Sequence, residues 1–132
     1  MSFSALVVVG DRKGSVGIGF GKAREVPSAV SKAVKEAKKQ MVKIPIKGDT
    51  IPHIALGRFK AASVFLKPAS PGTGIKAGAS ARAVLESVGI KNILTKCYGK
   101  RNPLNVAKAT LVGLRALRTK KEIEELRGVK IE

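Results

Sequence analysis

Residues 15–23 read SVGIGFGKA, and the spacing of their glycines decides how the first third of the chain is built. Val16, Ile18 and Phe20 alternate with Gly17, Gly19 and Gly21. Successive side chains of a strand point to opposite faces, so this run has one apolar face and one face with no side chains. Glycine weakens a strand, and a bare face marks close approach by another backbone or by a ligand. Two occupants suit it: a packed protein segment, or a nucleic acid whose phosphates and sugars reach the amides directly. Cations stand around the run, with Arg12 and Lys13 in the turn before it and Lys22 and Arg24 just after it. Such cations attract phosphate and fix the register of a bound strand. The expectation is therefore that Gly17, Gly19 and Gly21 lie against RNA.

Working outward, Phe3–Val9 is a β-branched run, and residues 10–14 (GDRKG) are a turn signal joining it to the glycine strand as a hairpin. Pro27 suits the first turn of a helix, and Val30, Ala33, Val34, Ala37 and Met41 follow at helical spacing. Lys32, Lys35, Lys38 and Lys39 fall on the opposite side, where Glu36 is the single acid. A solvated face mixes signs, so this one is expected to meet phosphates.

Pro45, Gly48 and Pro52 interrupt the pattern, which places a domain boundary near residues 48–49. Beyond it, Ile51–Leu56 and Ala61–Lys67 read as strands joined across Gly57, and residues 68–74 (PASPGTG) as a loop. A helix from about Ser80 should end at Gly89, and a strand should follow over Ile90–Cys97. Asn102-Pro103 then supplies an N-cap and a first-turn proline for a helix that buries Leu104, Ala107, Leu111, Leu114 and Leu117. Strands and helices alternate in short units, so the fold class is α+β. Three units are expected, over residues 1–48, 49–118 and a short helical tail at 119–132.

The chain has 132 residues with 26 Lys+Arg against 9 Asp+Glu, a formal net charge of +17. Its mean hydropathy is +0.05, enough apolar content for a core. Residues 119–132 hold four basic and four acidic residues, so residues 1–118 carry the whole excess. Self-repulsion on that scale calls for a polyanion, and nucleic acid is the usual one. The balanced tail, with Ile123 and Leu126 on one side, is expected to dock on protein. Lys67, Lys76, Lys100 and Arg101 extend the expected RNA-binding set into the second half.

Other chemistries find little support. His53 is the sole histidine and Cys97 the sole cysteine, so neither a zinc site of the usual ligands nor an internal disulfide is expected. The acids ahead of the tail are scattered, without the pairing that acid–base catalysis needs. Residues 16–23 fail the P-loop pattern at Val16 and Ala23; residues 72–77 (GTGIKA) match a dinucleotide fingerprint but lack its acidic partner downstream. Neither an enzyme, a cofactor nor a metal is expected. No run approaches the 18–20 apolar residues of a membrane span, and no signal peptide is visible, so a cytoplasmic protein is expected. Only five aromatics occur, which argues against base stacking as the main contact and for recognition of phosphates and shape in folded RNA. A free RNA chaperone, or a free-standing double-stranded-RNA-binding module, remains the alternative.

Several motifs together resemble the bacterial small-subunit ribosomal protein family numbered five. Residues 3–11 (FSALVVVGD), Gly17, Gly19, Gly21-Lys22-Ala23 and Glu25-Val26-Pro27 resemble its first domain. Ile51-Pro52-His53, Lys67-Pro68-Ala69, Gly72-Thr73-Gly74-Ile75 and Asn102-Pro103 with Asn105-Val106 resemble its second. The resemblance implies a domain similar to a double-stranded-RNA-binding fold, followed by a βαβα domain. It also implies binding to small-subunit ribosomal RNA near the junction of head and body, with ribosomal proteins four and eight as neighbours. Messenger RNA would pass nearby, on its way into the subunit. Roles in subunit assembly, translation and decoding fidelity follow from it, and no homo-oligomer is expected. Two features depart from the pattern. Members usually carry a helix, a strand and a basic glycine-rich loop ahead of the segment matching Phe3. Lys76 stands where they usually have an apolar residue.

Overall fold

The hairpin forms around the 11–14 turn. In the computed structural model, which describes residues 2–100 and 102–117, strand β1 (Phe3–Gly10) pairs antiparallel with β2 (Ser15–Ala23), and Val7 lies opposite Gly19. Asp11 ties the turn by accepting the amides of Lys13 at 2.7 Å and Ser15 at 3.0 Å. Helix α1 (Val26–Lys39) follows with Pro27 in its first turn. Strand β3 (Val42–Lys43) then pairs with Ser15–Val16 at the start of β2. Two residues leave no periodic signal, so β3 was not legible in the sequence.

The bare glycine face corrects the expectation of RNA contact there. It is covered by α1, and Gly17, Gly19 and Gly21 are buried. A Cβ on Gly17, Gly19 or Gly21 would overlap the backbone carbonyl oxygen of Ala37, Ala33 or Ala29 respectively. The occupant is a protein segment within the chain itself. The middle of the buried helix face is Ala29, Ala33 and Ala37, all 1% exposed or less. At about 100° per residue, Val30 and Val34 fall on one flank. Val30 is 41% exposed and lies off the packed stripe, whereas Met41, past the helix end and 36% exposed, reaches over Gly17.

The second sheet has the order β4-β5-β7-β6, with β4 Ala55–Phe59, β5 Ala62–Pro68, β6 Ile75–Lys76 and β7 Ile93–Gly99. Strands β6 and β7 run parallel, joined through α2 (Ala79–Val88), and α3 (Pro103–Arg115) closes the described chain. Gly57 does not join two strands, as the sequence suggested. It lies inside β4, where a Cβ would overlap the Ala109 carbonyl of α3, and the chain turns instead at Lys60, whose φ is +52°. The expected caps are present: Gly89 ends α2 in the left-handed conformation, and Asn102 Oδ1 accepts the amides of Leu104 and Asn105. The 68–74 loop is anchored by buried Asn92, whose Oδ1 accepts the amides of Gly72 and Gly74.

The architecture is α+β, with two sheets and three helices. Helix α3 covers one face of the second sheet at β4 and β5, and α2 packs against α3, β6 and the first hairpin. The face of β2 opposite α1 contributes Val16 and Ile18 to a core that continues into Val84, Leu85 and Val88 of α2. The hairpin turn is bonded to the end of α2, with the Arg12 amide donating to Ser87 O at 2.9 Å and the Gly14 amide to Val88 O at 2.8 Å. The apolar core is therefore continuous across both sheets. The tail expected as a helix at 119–132, with its protein-docking role, lies outside the described residues.

Overpacking a close backbone contact costs about 1–3 kcal/mol. Gly19→Ala adds one methyl group against the Ala33 carbonyl and is expected to lower the melting temperature by roughly 4 °C or more. An unchanged thermal melt would show that α1 does not sit against this strand.

Candidate nucleic-acid interface

Seating on glycine turns one side of α1 to solvent. Lys35 and Lys39 are four apart and lie opposite the alanine stripe, and both are exposed. Lys32 and Lys38 occupy the two flanks, also exposed. Lys32 leans over the edge of β2 that β3 leaves open, its Nζ 3.4 Å from the Lys22 carbonyl oxygen. The helix's single acid turns the same way: Glu36 accepts the Phe20 amide at 3.4 Å and the Gln40 side-chain amide at 3.4 Å. Glu36 therefore serves the strand edge, and the only charges on the outward face are cations.

The other expected residues fall into separate places. Arg12 and Lys13 are exposed at the hairpin tip, and Lys22 and Arg24 at the far end of β2. The length of β2 separates the two pairs by about 25 Å, so they cannot grip one phosphate together. Lys67 and Lys76 lie on the outer face of the second sheet, on either side of Leu94 in one cross-strand row. The Lys100 amide donates to Ala61 O at 3.2 Å, beside the β4–β5 turn. Arg101 lies outside the described residues.

Four cations outside the expected set stand around the second sheet. Lys60 and Lys108 both stand over the Phe59 ring, 5.7 and 5.2 Å from its centre. Arg58 and Lys96 join Lys67 on the outer sheet face. Alternation within β4 and β7 could have found Arg58 and Lys96. Lys60 and Lys108 come together only through the packing of α3 on β4.

The acids do little to neutralise this surface. Among the described residues there are two ion pairs: Arg82–Glu86 at 2.8 Å along α2, and Lys91–Asp49 at 3.8 Å, both exposed. Asp11 is held by amides. The Ser15 amide first, then that of Lys13, lowers its carboxyl pKa below the ordinary value of 3.8. The described residues contain no cluster of three or more His, Cys, Asp or Glu able to hold a metal, and no helix long and apolar enough to cross a membrane.

A small α+β protein with a shared core and a cationic exterior belongs to the class that recognises a polyanion by its charge and shape. Comparison with known proteins specifies the class. The family description "Ribosomal protein S5, N-terminal domain" matches residues 1–45, and "Ribosomal protein S5, C-terminal domain" matches residues 57–127. The small ribosomal subunit protein uS5 of Syntrophobacter fumaroxidans is 59% identical over 127 residues, covering 96% of this chain and 76% of that protein. The protein of the same name from Rubrobacter xylanophilus is 52% identical over 131 residues, covering 99% of this chain and 66% of that one. The chain belongs to the ribosomal protein S5 family.

Because folding lowers the Asp11 pKa, the turn's stabilisation is complete above the unfolded value and is lost as pH falls through the folded one. A carboxyl-detected NMR titration is expected to place the Asp11 midpoint below about 3.8, and Asp11→Asn should remove that acid-side loss. A midpoint at or above the ordinary value would contradict the hydrogen bonding described for the turn.

Proposed function

We propose that the chain is a structural constituent of the small ribosomal subunit. In this reading it binds folded ribosomal RNA through phosphate and shape contacts, and it supports subunit assembly, translation and decoding fidelity in the cytoplasm. It performs no catalysis of its own. The observation that carries the binding mode is the outward side of α1, where Lys35 and Lys39 stand together while Glu36 is turned to the strand edge. Lys38 and Lys32 widen that side, and Arg12, Lys13, Lys22 and Arg24 add contacts at the two ends of the hairpin. Lys67, Lys76, Lys100 and Arg101 extend the RNA-binding set to the second sheet and the residues just past it. Residues 1–48 and 49–118 act as two RNA-binding halves, with 119–132 as a protein-docking tail. The neighbours are ribosomal proteins four and eight, and messenger RNA passes close by where it enters the subunit.

Two measurements test this. In fractionated cell extract the protein is expected to sediment with small subunits and to remain there in moderate salt; recovery only in the free pool would end the reading. For the purified protein, log affinity for duplex RNA should fall steeply with log salt, each neutralised phosphate contributing roughly 0.7–0.9 to the slope. Lys35→Ala with Lys39→Ala should lower that slope by about one to two units, alike for different RNA sequences. An unchanged slope would show that the helix face is only solvated.

A further inference from the structure

The second sheet has an outer face that no helix of the described chain covers. Its register sets out three cross-strand rows: Arg58–Ser63–Tyr98, Leu56–Phe65–Lys96 and Lys67–Leu94–Lys76. Four of these nine positions are cationic, four are apolar or aromatic, and none is acidic. Tyr98 is 51% exposed, Leu56 44% and Leu94 38%, whereas Ala62, Val64 and Leu66 on the opposite face of β5 are 1% exposed or less. Lys96 Nζ stands over one face of the Tyr98 ring, 5.5 Å from its centre.

We infer that this face is a second RNA surface, built for two or three unpaired nucleotides rather than for a duplex. Strand spacing gives the array a size of about 14 by 13 Å, the reach of that many splayed bases. Tyr98 and Phe65 offer rings for bases, Leu56 and Leu94 form the apolar floor, and Arg58, Lys67, Lys76 and Lys96 are spaced to take the phosphates. A protein partner fits less well. The buried centre of a protein interface is depleted in lysine, and here cations are interleaved with every apolar side chain, without an acid to pair them. The inference rests on the reading of the chain as an RNA binder. It uses a different face and a different contact, so the two fail separately.

Tyr98 is the only tyrosine and the chain has no tryptophan, so intrinsic fluorescence reports on this face alone. Octauridylate added to the full chain is expected to quench that emission. Tyr98→Ala should weaken octauridylate binding, followed by anisotropy of a labelled oligomer, about tenfold. Tyr98→Phe should keep the affinity, and both variants should melt like the parent protein. Affinity for duplex RNA should change little in Tyr98→Ala but fall when Lys35 and Lys39 are replaced. Octauridylate binding that is equally tight in Tyr98→Ala, or absent while duplex RNA still binds, would overturn this inference alone. Loss of incorporation into small subunits by Tyr98→Ala, with octauridylate affinity unchanged, would assign the face to a protein neighbour and overturn it as well. Failure to bind either RNA would overturn the parent reading together with this one.

Discussion

The contact of α1 with the glycine stripe of β2 is the constraint on which the first sheet depends. Helix and strand run antiparallel, Gly17 beneath Ala37 and Gly21 beneath Ala29. Four residues of helix rise about 6 Å and two residues of strand about 6.7 Å, so one contact repeats as the next without losing register. Alanine on the helix and glycine on the strand together remove nearly all side-chain volume from the interface. The backbones then meet where leucine or valine would hold them several ångströms further apart. The second sheet repeats the device once, where Gly57 of β4 meets Ala109 and Gly113 of α3.

Close seating has an electrical consequence. With the inward stripe so narrow, the valines settle on one flank and Glu36 on the other, over the open edge of β2. An unpaired strand edge invites association with other chains, and Lys32 and Glu36 occupy part of it. The outward side is left with lysine as its only charged residue, beside the small polar Ser28 and Ser31. Four of the five described acids tell the same story: Asp11 closes a turn, Asp49 and Glu86 meet neighbouring cations, and Glu36 serves a backbone amide. These four are engaged locally, so they leave most of the excess positive charge without an internal counterion. A chain built this way gains stability from a polyanion as well as affinity for one.

Much of this was legible in the sequence where a period or a cap announced it. The hairpin followed from alternation around residues 10–14, α3 from Asn102-Pro103, and the end of α2 from Gly89. The glycine face was legible as a place of close approach, but glycine says nothing about who approaches. The matching signal was Ala29, Ala33 and Ala37 at intervals of four, overshadowed by the larger Val30 and Met41. Gly57 misled for a related reason, since an interior strand glycine and a turn glycine look alike until the helix above it is placed. Strands β3 and β6 have two residues each and no pattern to show. Of the cationic surface, the lysines of α1 could be read directly. Single cations of the outer sheet face could be read too, but not their assembly, which exists only once β4, β5, β7 and β6 are in register.

That α1 presents its lysines to ribosomal RNA is the central claim, and lysine footprinting tests it directly. The free protein and purified small subunits containing it are acylated under matched conditions, and the modified side chains are quantified by mass spectrometry. Lys35 and Lys39 are expected to label readily in the free protein and to be strongly protected in the subunit. Equal labelling of both residues in the two states would contradict the account.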